Sequence, residues 1–211
     1  HDREPSALEV MFATHPMSSE RLSTARQAVN KKYYGAKKYA FYRERYMDNT
    51  VDLRKIGPAI RDMQDAEKLG GQEKYDQAKE KMDQALKLAP NDYAGLLVMS
   101  KLFIAQEKYD KALPYAEHAR EVYPAEPQAS QVAGVLQLKA KRYDKALASF
   151  EAYDKALPGN PYVGFYKGYA QEGMGHRRDA AEAYYKFLQK VKKGEQAQHA
   201  YNRLVDWGYV K

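Results

Sequence analysis

Three short stretches decide the fold: EKYDQA (Glu73–Ala78), EKYDKA (Glu107–Ala112) and KRYDKA (Lys141–Ala146), each later one 34 residues after the one before. A second marker keeps the same step, with Pro90, Pro124 and Pro158 each standing twelve residues beyond the Ala that closes its own stretch. Two independent markers on one period identify a structural repeat, a unit too small to bury its apolar face except against its neighbours. Each period holds two helical patterns. Tyr75, Tyr109 and Tyr143 open the second helix as packing residues, followed by Asp76, Asp110 and Asp144, whose charge suits a helix N-terminus. Ala66, Gly134 and Gly168 on first helices, and Ala78, Ala112 and Ala146 on second helices, allow the close approach that larger side chains would prevent. Proline stops each second helix because it lacks an N–H, and Asn91 or Asn160 is expected to cap the next one, Asn160 with Pro161 at the first helical position.

These marks frame units at 59–92, 93–126, 127–160 and 161–194. The fourth departs from the pattern: GHRRDAAEAYY (Gly175–Tyr185) replaces the YDxA element with Arg178, Asp179 and Ala181, one residue late, and Lys192, Lys193 and Gly194 follow where a proline would stand. It reads as the C-terminal repeat. Residues 195–211 then carry Ala197, Ala200, Tyr201, Leu204 and Val205, the stripe of a helix capping the end of a solenoid, with Trp207 as its anchor.

A 34-residue, two-helix unit ending in Pro resembles the tetratricopeptide repeat. The expected fold is an all-α solenoid of about four helix-turn-helix repeats with a C-terminal capping helix and an N-terminal helical extension. Solenoids bind partners on the concave face lined by first helices. In this frame the groove takes Leu97, Lys101 and Ile104 from the second unit, Gln131, Val135 and Leu138 from the third, and Tyr162, Phe165 and Tyr169 from the fourth. Its aromatic end suits an apolar peptide or helix, or the face of an attached catalytic domain; burial inside the superhelix is the alternative for each residue. The chaperone-binding subtype clamps a terminal carboxylate with groove asparagines, and Lys101, Val135 and Tyr169 occupy those places here.

The chain has 211 residues, 44% of them apolar, enough for a real core. It contains no cysteine, which excludes disulfides, thiol nucleophiles and thiolate metal sites but leaves export open. The longest apolar stretch, Tyr93 to Met99, is far short of the roughly 20 residues of a spanning helix. His1 stands where an initiator Met would, so the sequence is expected to be a piece of a longer chain. The formal charge of +7 invites an acidic partner.

Residues 1–50 do not follow the period. In THPMSSERL (Thr14–Leu22), Pro16 holds His15 extended, Ser18 or Ser19 can cap, and Glu20 suits the first turn of a helix running to about Asn30. From Thr50, expected to cap, the pattern Val51, Leu53, Ile56, Ile60, Met63 and Leu69 leads into the first unit, with Pro58 kinking or restarting that helix. The stretch ALEVMFATHPMSSERLSTAR (Ala7–Arg26) resembles the close of the catalytic domain in zinc metallopeptidases of family M-48, the HtpX and CAAX-prenyl-endopeptidase type, through Ala13, Thr14, His15, Pro16 and Arg21. In members of the BepA type, tetratricopeptide repeats follow that segment. The resemblance implies that residues 1–50 are the helical tail of such a domain and that His15 lies near its metal cleft; the rival is a histidine fixing a turn. It further implies an exported, periplasmic parent acting in envelope protein quality control, with the repeats recruiting or positioning substrates or partner complexes. The H-E-x-x-H helix is absent, so no catalysis and no cofactor are expected of this chain, and zinc belongs to the catalytic part.

Between Asn30 and Met47, Lys31, Lys32, Lys37, Lys38, Arg43 and Arg45 interleave with Tyr33, Tyr34, Tyr39, Tyr42 and Tyr46. Stacking aromatics among cations can bind nucleic acid or another anionic surface, with Lys37, Lys38, Arg43 and Arg45 as the core of the patch. The preferred reading is an amphipathic helix with its tyrosines against the solenoid and its cations in water, which makes nucleic acid the lesser partner class. GMGH (Gly173–His176) follows no strand and reads as a turn between repeat helices. The five histidines, His1, His15, His118, His176 and His199, are scattered, with no pair four apart. A free-standing repeat adaptor remains the other alternative, and neither the partner nor the oligomeric state is legible.

Overall fold

The structure, a computed structural model, describes residues 18–35 and 42–210. Among the described residues there are twelve helices and no strand. The chain divides into two compact units, residues 1–51 and 52–211.

The first unit contains α1 (Ser18–Lys31) and α2 (Arg43–Asn49). Helix α1 begins at Ser18 and ends one residue beyond Asn30. Helix α2 is closed by Thr50, whose backbone N–H and hydroxyl both donate to the Tyr46 carbonyl, at 3.0 and 2.7 Å. Thr50 therefore ends one helix, where the sequence suggested a cap for the next. The motif residues Ala13, Thr14, His15 and Pro16 lie outside the described residues, as do Lys37 and Lys38.

Helix α3 (Val51–Lys55) leads into α4 (Gly57–Gly71), which carries Pro58 in its first turn, so the proline restarts the helix. The pairs that follow are α4 with α5 (Tyr75–Leu88), α6 (Tyr93–Ala105) with α7 (Tyr109–Val122), α8 (Pro127–Lys139) with α9 (Tyr143–Ala156), and α10 (Pro161–Gly173) with α11 (Arg177–Lys190). Each second helix also packs on the first helix of the next pair, and α11 packs on α12 (Glu195–Asp206). Small residues set the spacing. Ala66, Ser100, Gly134 and Gly168 recur every 34 residues on first helices, all buried. A Cβ on Gly134 would come within 2.8 to 3.0 Å of the Phe150 ring. Ser100 keeps its place by donating to the buried Ala112 carbonyl at 3.0 Å. Opposite them Ala78, Ala112, Ala146 and Ala180 are wholly buried.

The turn inside each pair fixes the register of the fourth unit. Glu73, Glu107 and Lys141 adopt left-handed backbone at φ 60, 57 and 56°, and Gly175 does the same at φ 81°. These positions lie 34 residues apart throughout. The fourth unit is thus in step, not one residue late: Arg177 and Arg178 replace the Tyr-Asp pair, and Ala180, not Ala181, takes the alanine position. GMGH is the turn the sequence indicated.

Three first helices begin differently. Asp92, rather than Asn91, caps α6 by accepting from the Gly95 N–H at 2.8 Å, because Asp92 is the residue still extended at the boundary. Asn160 caps α10 by accepting from the Tyr162 N–H at 3.0 Å. Glu126 makes no side-chain cap on α8; the Tyr93 hydroxyl from the preceding unit accepts from the Ala129 N–H at 3.1 Å instead.

Candidate partner-binding face and the joint to the last helix

The nine groove residues fall into three environments. Leu97 and Phe165 are core residues, 3 and 5% exposed, packed among neighbouring helices and not presented on a surface. Lys101 is nearly buried; burial lowers its pKa and the Glu67 carboxylate opposes that shift. Ile104, Gln131, Val135 and Leu138 are half-buried. Tyr162 and Tyr169 are the two that reach solvent, at 41 and 37%. The face is therefore a half-buried apolar strip with tyrosines at its C-terminal end.

Sequence reasoning missed the cluster beside Tyr169. The His199 ring lies 5.3 Å from Tyr169 and 5.8 Å from Phe165, which brings α12 against the groove side of α10. His199 Nε2 stands 3.0 Å from Glu172 Oε2, and Tyr184 Oη donates to the same oxygen at 2.6 Å. Arg203, one turn after His199 on α12, places Nε 2.6 Å from Glu172 Oε1. One carboxylate thus gathers three elements. Burial disfavours its charge, but the hydrogen bonds from Tyr184 and His199 and the charges of His199 and Arg203 outweigh that and hold its pKa below the ordinary value. Burial, then the bond to Glu172, pushes the Tyr184 phenol up, so it stays a donor. Trp207 stacks on Tyr184 with ring centroids 6.2 Å apart, under the Arg203 guanidinium, which is the anchor its position suggested. No sequence signal joins these residues, since each alone reads as a solvated polar group.

A second polar chain crosses α7, α8 and α9. The Gln137 amide donates to Glu117 at 2.9 Å and its carbonyl accepts from Ser149 at 2.7 Å; Ser149 Oγ in turn accepts from Arg120 at 2.6 Å. Gln137 and Ser149 are wholly buried, so these bonds satisfy groups that would otherwise be costly.

In the first unit Arg43 and Arg45 are exposed as expected, but Tyr33, Tyr34, Tyr42 and Tyr46 are exposed too, not buried by packing. Among the described residues, no group of three or more His, Asp or Glu side chains is placed to hold a metal ion. No helix among them is long and apolar enough to cross a membrane.

Residues 97–161 match the family model for the tetratricopeptide repeat. No curated protein matches the sequence. Among solved structures, MamA from Desulfovibrio magneticus RS-1 superposes with a TM-score of 0.66 at 20% identity, over 72% of this chain and 86% of that one. YrrB, a TPR protein with an unusual peptide-binding site, gives 0.62 at 21% identity, over 74% of this chain and 80% of that one. MamA from MSR-1 gives 0.60 at 16% identity, over 71% and 87%. At these identities the likeness is one of fold, and the fold is an all-α solenoid of tetratricopeptide type.

Proposed function

We propose that the chain is a protein-interaction module whose first-helix face, α6, α8 and α10, holds a segment of a partner protein. The observation that carries this is the pair Tyr162 and Tyr169, exposed on one face of α10 beside half-buried Ile104, Gln131, Val135 and Leu138. Amphipathic rings over an apolar strip are what a helix or extended peptide needs for anchoring. Repeats of this class characteristically bind proteins or peptides, which supports the reading. The test places a photo-crosslinking residue at position 169 and, as a control, at the exposed Glu80 of α5 in source cells. Discrete protein adducts at 169 and not at 80 are expected, with Tyr162→Ala reducing them about tenfold, as for an aromatic anchor. Equal labelling at both positions would sink this choice of surface.

We further propose that the module recruits or positions substrates or partner complexes for an attached zinc metallopeptidase in an exported, periplasmic protein. Ala13–Arg21 and the repeats that follow it support this. Zinc would be held by the H-E-x-x-H part, which this sequence lacks. Immunodetection of the native polypeptide, followed by N-terminal sequencing, decides it. A mass about twice the 24.2 kDa of this chain, with H-E-x-x-H upstream, is expected; a mass near 24.2 kDa would leave a free-standing adaptor.

A further inference from the structure

Each helix pair reverses through a short turn, so the turns within pairs line one edge of the array and the turns between pairs line the other. Charge changes along the first of these edges. In the first turn Glu73 and Asp76 stand against Lys74, and in the second Glu107 and Asp110 stand against Lys108 and Lys111, so each is close to neutral. In the third only Asp144 faces Lys139, Lys141, Arg142 and Lys145, and in the fourth only Asp179 faces Arg177 and Arg178. The left-handed position itself passes from Glu73 and Glu107 to Lys141.

These cations are exposed, and among the described residues none of Lys139, Lys141, Arg142, Lys145, Arg177 and Arg178 forms an ion pair. Arg178 adds only a longer-range pull on Glu182, whose own partner is Lys186 at 2.6 Å. Lys139 is held in place, its Nζ 4.3 Å from the centre of the Tyr109 ring. The turns present charge without an apolar surface. Tyr109 and Tyr143 are half-buried, the first under Lys139 and the second against Gly173, and no Tyr, Phe or Trp of these turns is exposed.

We propose that this end of the turn edge, from Lys139 to Arg178, docks an acidic segment of a partner protein. Carboxylates on separate flexible side chains can meet these cations one by one and pass Asp144 and Asp179, and the arginine forks can take them bidentately. A nucleic acid would find no exposed ring on which to stack its bases, and a membrane would find nothing to insert among its lipids. The surface is separate from the first-helix face that carries Tyr162 and Tyr169.

The experiment titrates a blocked octaglutamate peptide into the full chain at about 0.15 M salt, where long-range attraction is screened, and follows backbone amide signals by NMR. Saturable shifts are expected at Lys139, Lys141, Arg142, Lys145 and Arg177. The triple variant Lys139→Ala, Lys141→Glu and Lys145→Gln installs residues that other units carry at the same places, at Ala105, Glu107 and Gln77, so the chain stays folded. It should bind at least about tenfold more weakly. Lys155→Glu with Lys190→Glu changes the net charge equally at the opposite ends of α9 and α11 and should weaken binding less than about twofold. Equal weakening by the two variants, or shifts centred on Arg43 and Arg45, would overturn the proposal. So would tighter binding of an oligothymidylate of the same charge, or sedimentation of the chain with phosphatidylserine vesicles at the same salt.

Discussion

Gly134 and Gly164 both lie within first helices and will answer an added methyl group in opposite ways. At Gly164 the Cβ meets open space, so Gly164→Ala removes only the helical cost of glycine and is expected to stabilise the protein by about 0.5–1 kcal/mol. At Gly134 the same methyl meets the buried Phe150 ring, and Gly134→Ala should destabilise by about 1–3 kcal/mol. Urea denaturation of the two variants checks both signs, and a loss at Gly164 would show that the space beside it is not open. Glu107 holds a left-handed backbone that costs an L-residue of its type. Glu107→Gly should therefore raise stability by about 0.5–1 kcal/mol, partly offset by the greater freedom of glycine in the unfolded chain. Thermal unfolding would show an unchanged or lowered midpoint if the turn carries no strain.

Beside its apolar contacts, helix α12 is tied to α10 through one carboxylate, Glu172. Glu172→Gln removes the carboxylate that faces His199 and Arg203, leaving Arg203 its weaker pair with Asp206, and a cost of about 1–3 kcal/mol is expected, read first as lost amide protection in α12. Because the Glu172 pKa is lower in the folded state, its contribution is fully present above its ordinary value of 4.5 and is lost as pH falls through the depressed folded value. Protection of the α12 amides, taken relative to an unstructured chain at the same pH, should thus fall in acid in the native protein, and this acid dependence should flatten in Glu172→Gln; a parallel response would remove Glu172 as its cause. The joint was not legible in the sequence because its members lie on three helices with no shared spacing. The stripe Ala197, Ala200 and Leu204 was legible, since apolar periodicity reports which face of a helix is buried. The same signal could not separate Leu97 and Phe165, which face inward, from Tyr162 and Tyr169, which reach water: all four hold groove positions of first helices, Leu97 on α6 and the others on α10, and only the packing of neighbouring helices divides them.

For the molecule as a whole, the period made the solenoid readable, and its one failure had a physical origin. Ala180 and Ala181 are both small, which makes the fourth unit read a residue late in the sequence, and only the left-handed turn at Gly175 shows which of them is in register. Deleting residues 127–160, one whole period, should leave a folded chain of lower stability, as expected for an array losing one unit, and a chain that no longer unfolds cooperatively would show that the units are not interchangeable. The hydroxyl of Tyr93 that closes the first turn of α8 gives the array a direction in time. Its pKa is pushed up to about 12 by burial, so it persists as a neutral acceptor. A third unit folding before the second would start with a frayed helix end, whereas a second unit folding first offers that acceptor ready-made. Assembly across this boundary should therefore spread more readily from the second unit to the third than back, and Tyr93→Phe should slow refolding while exposing the Ala129 amide to exchange.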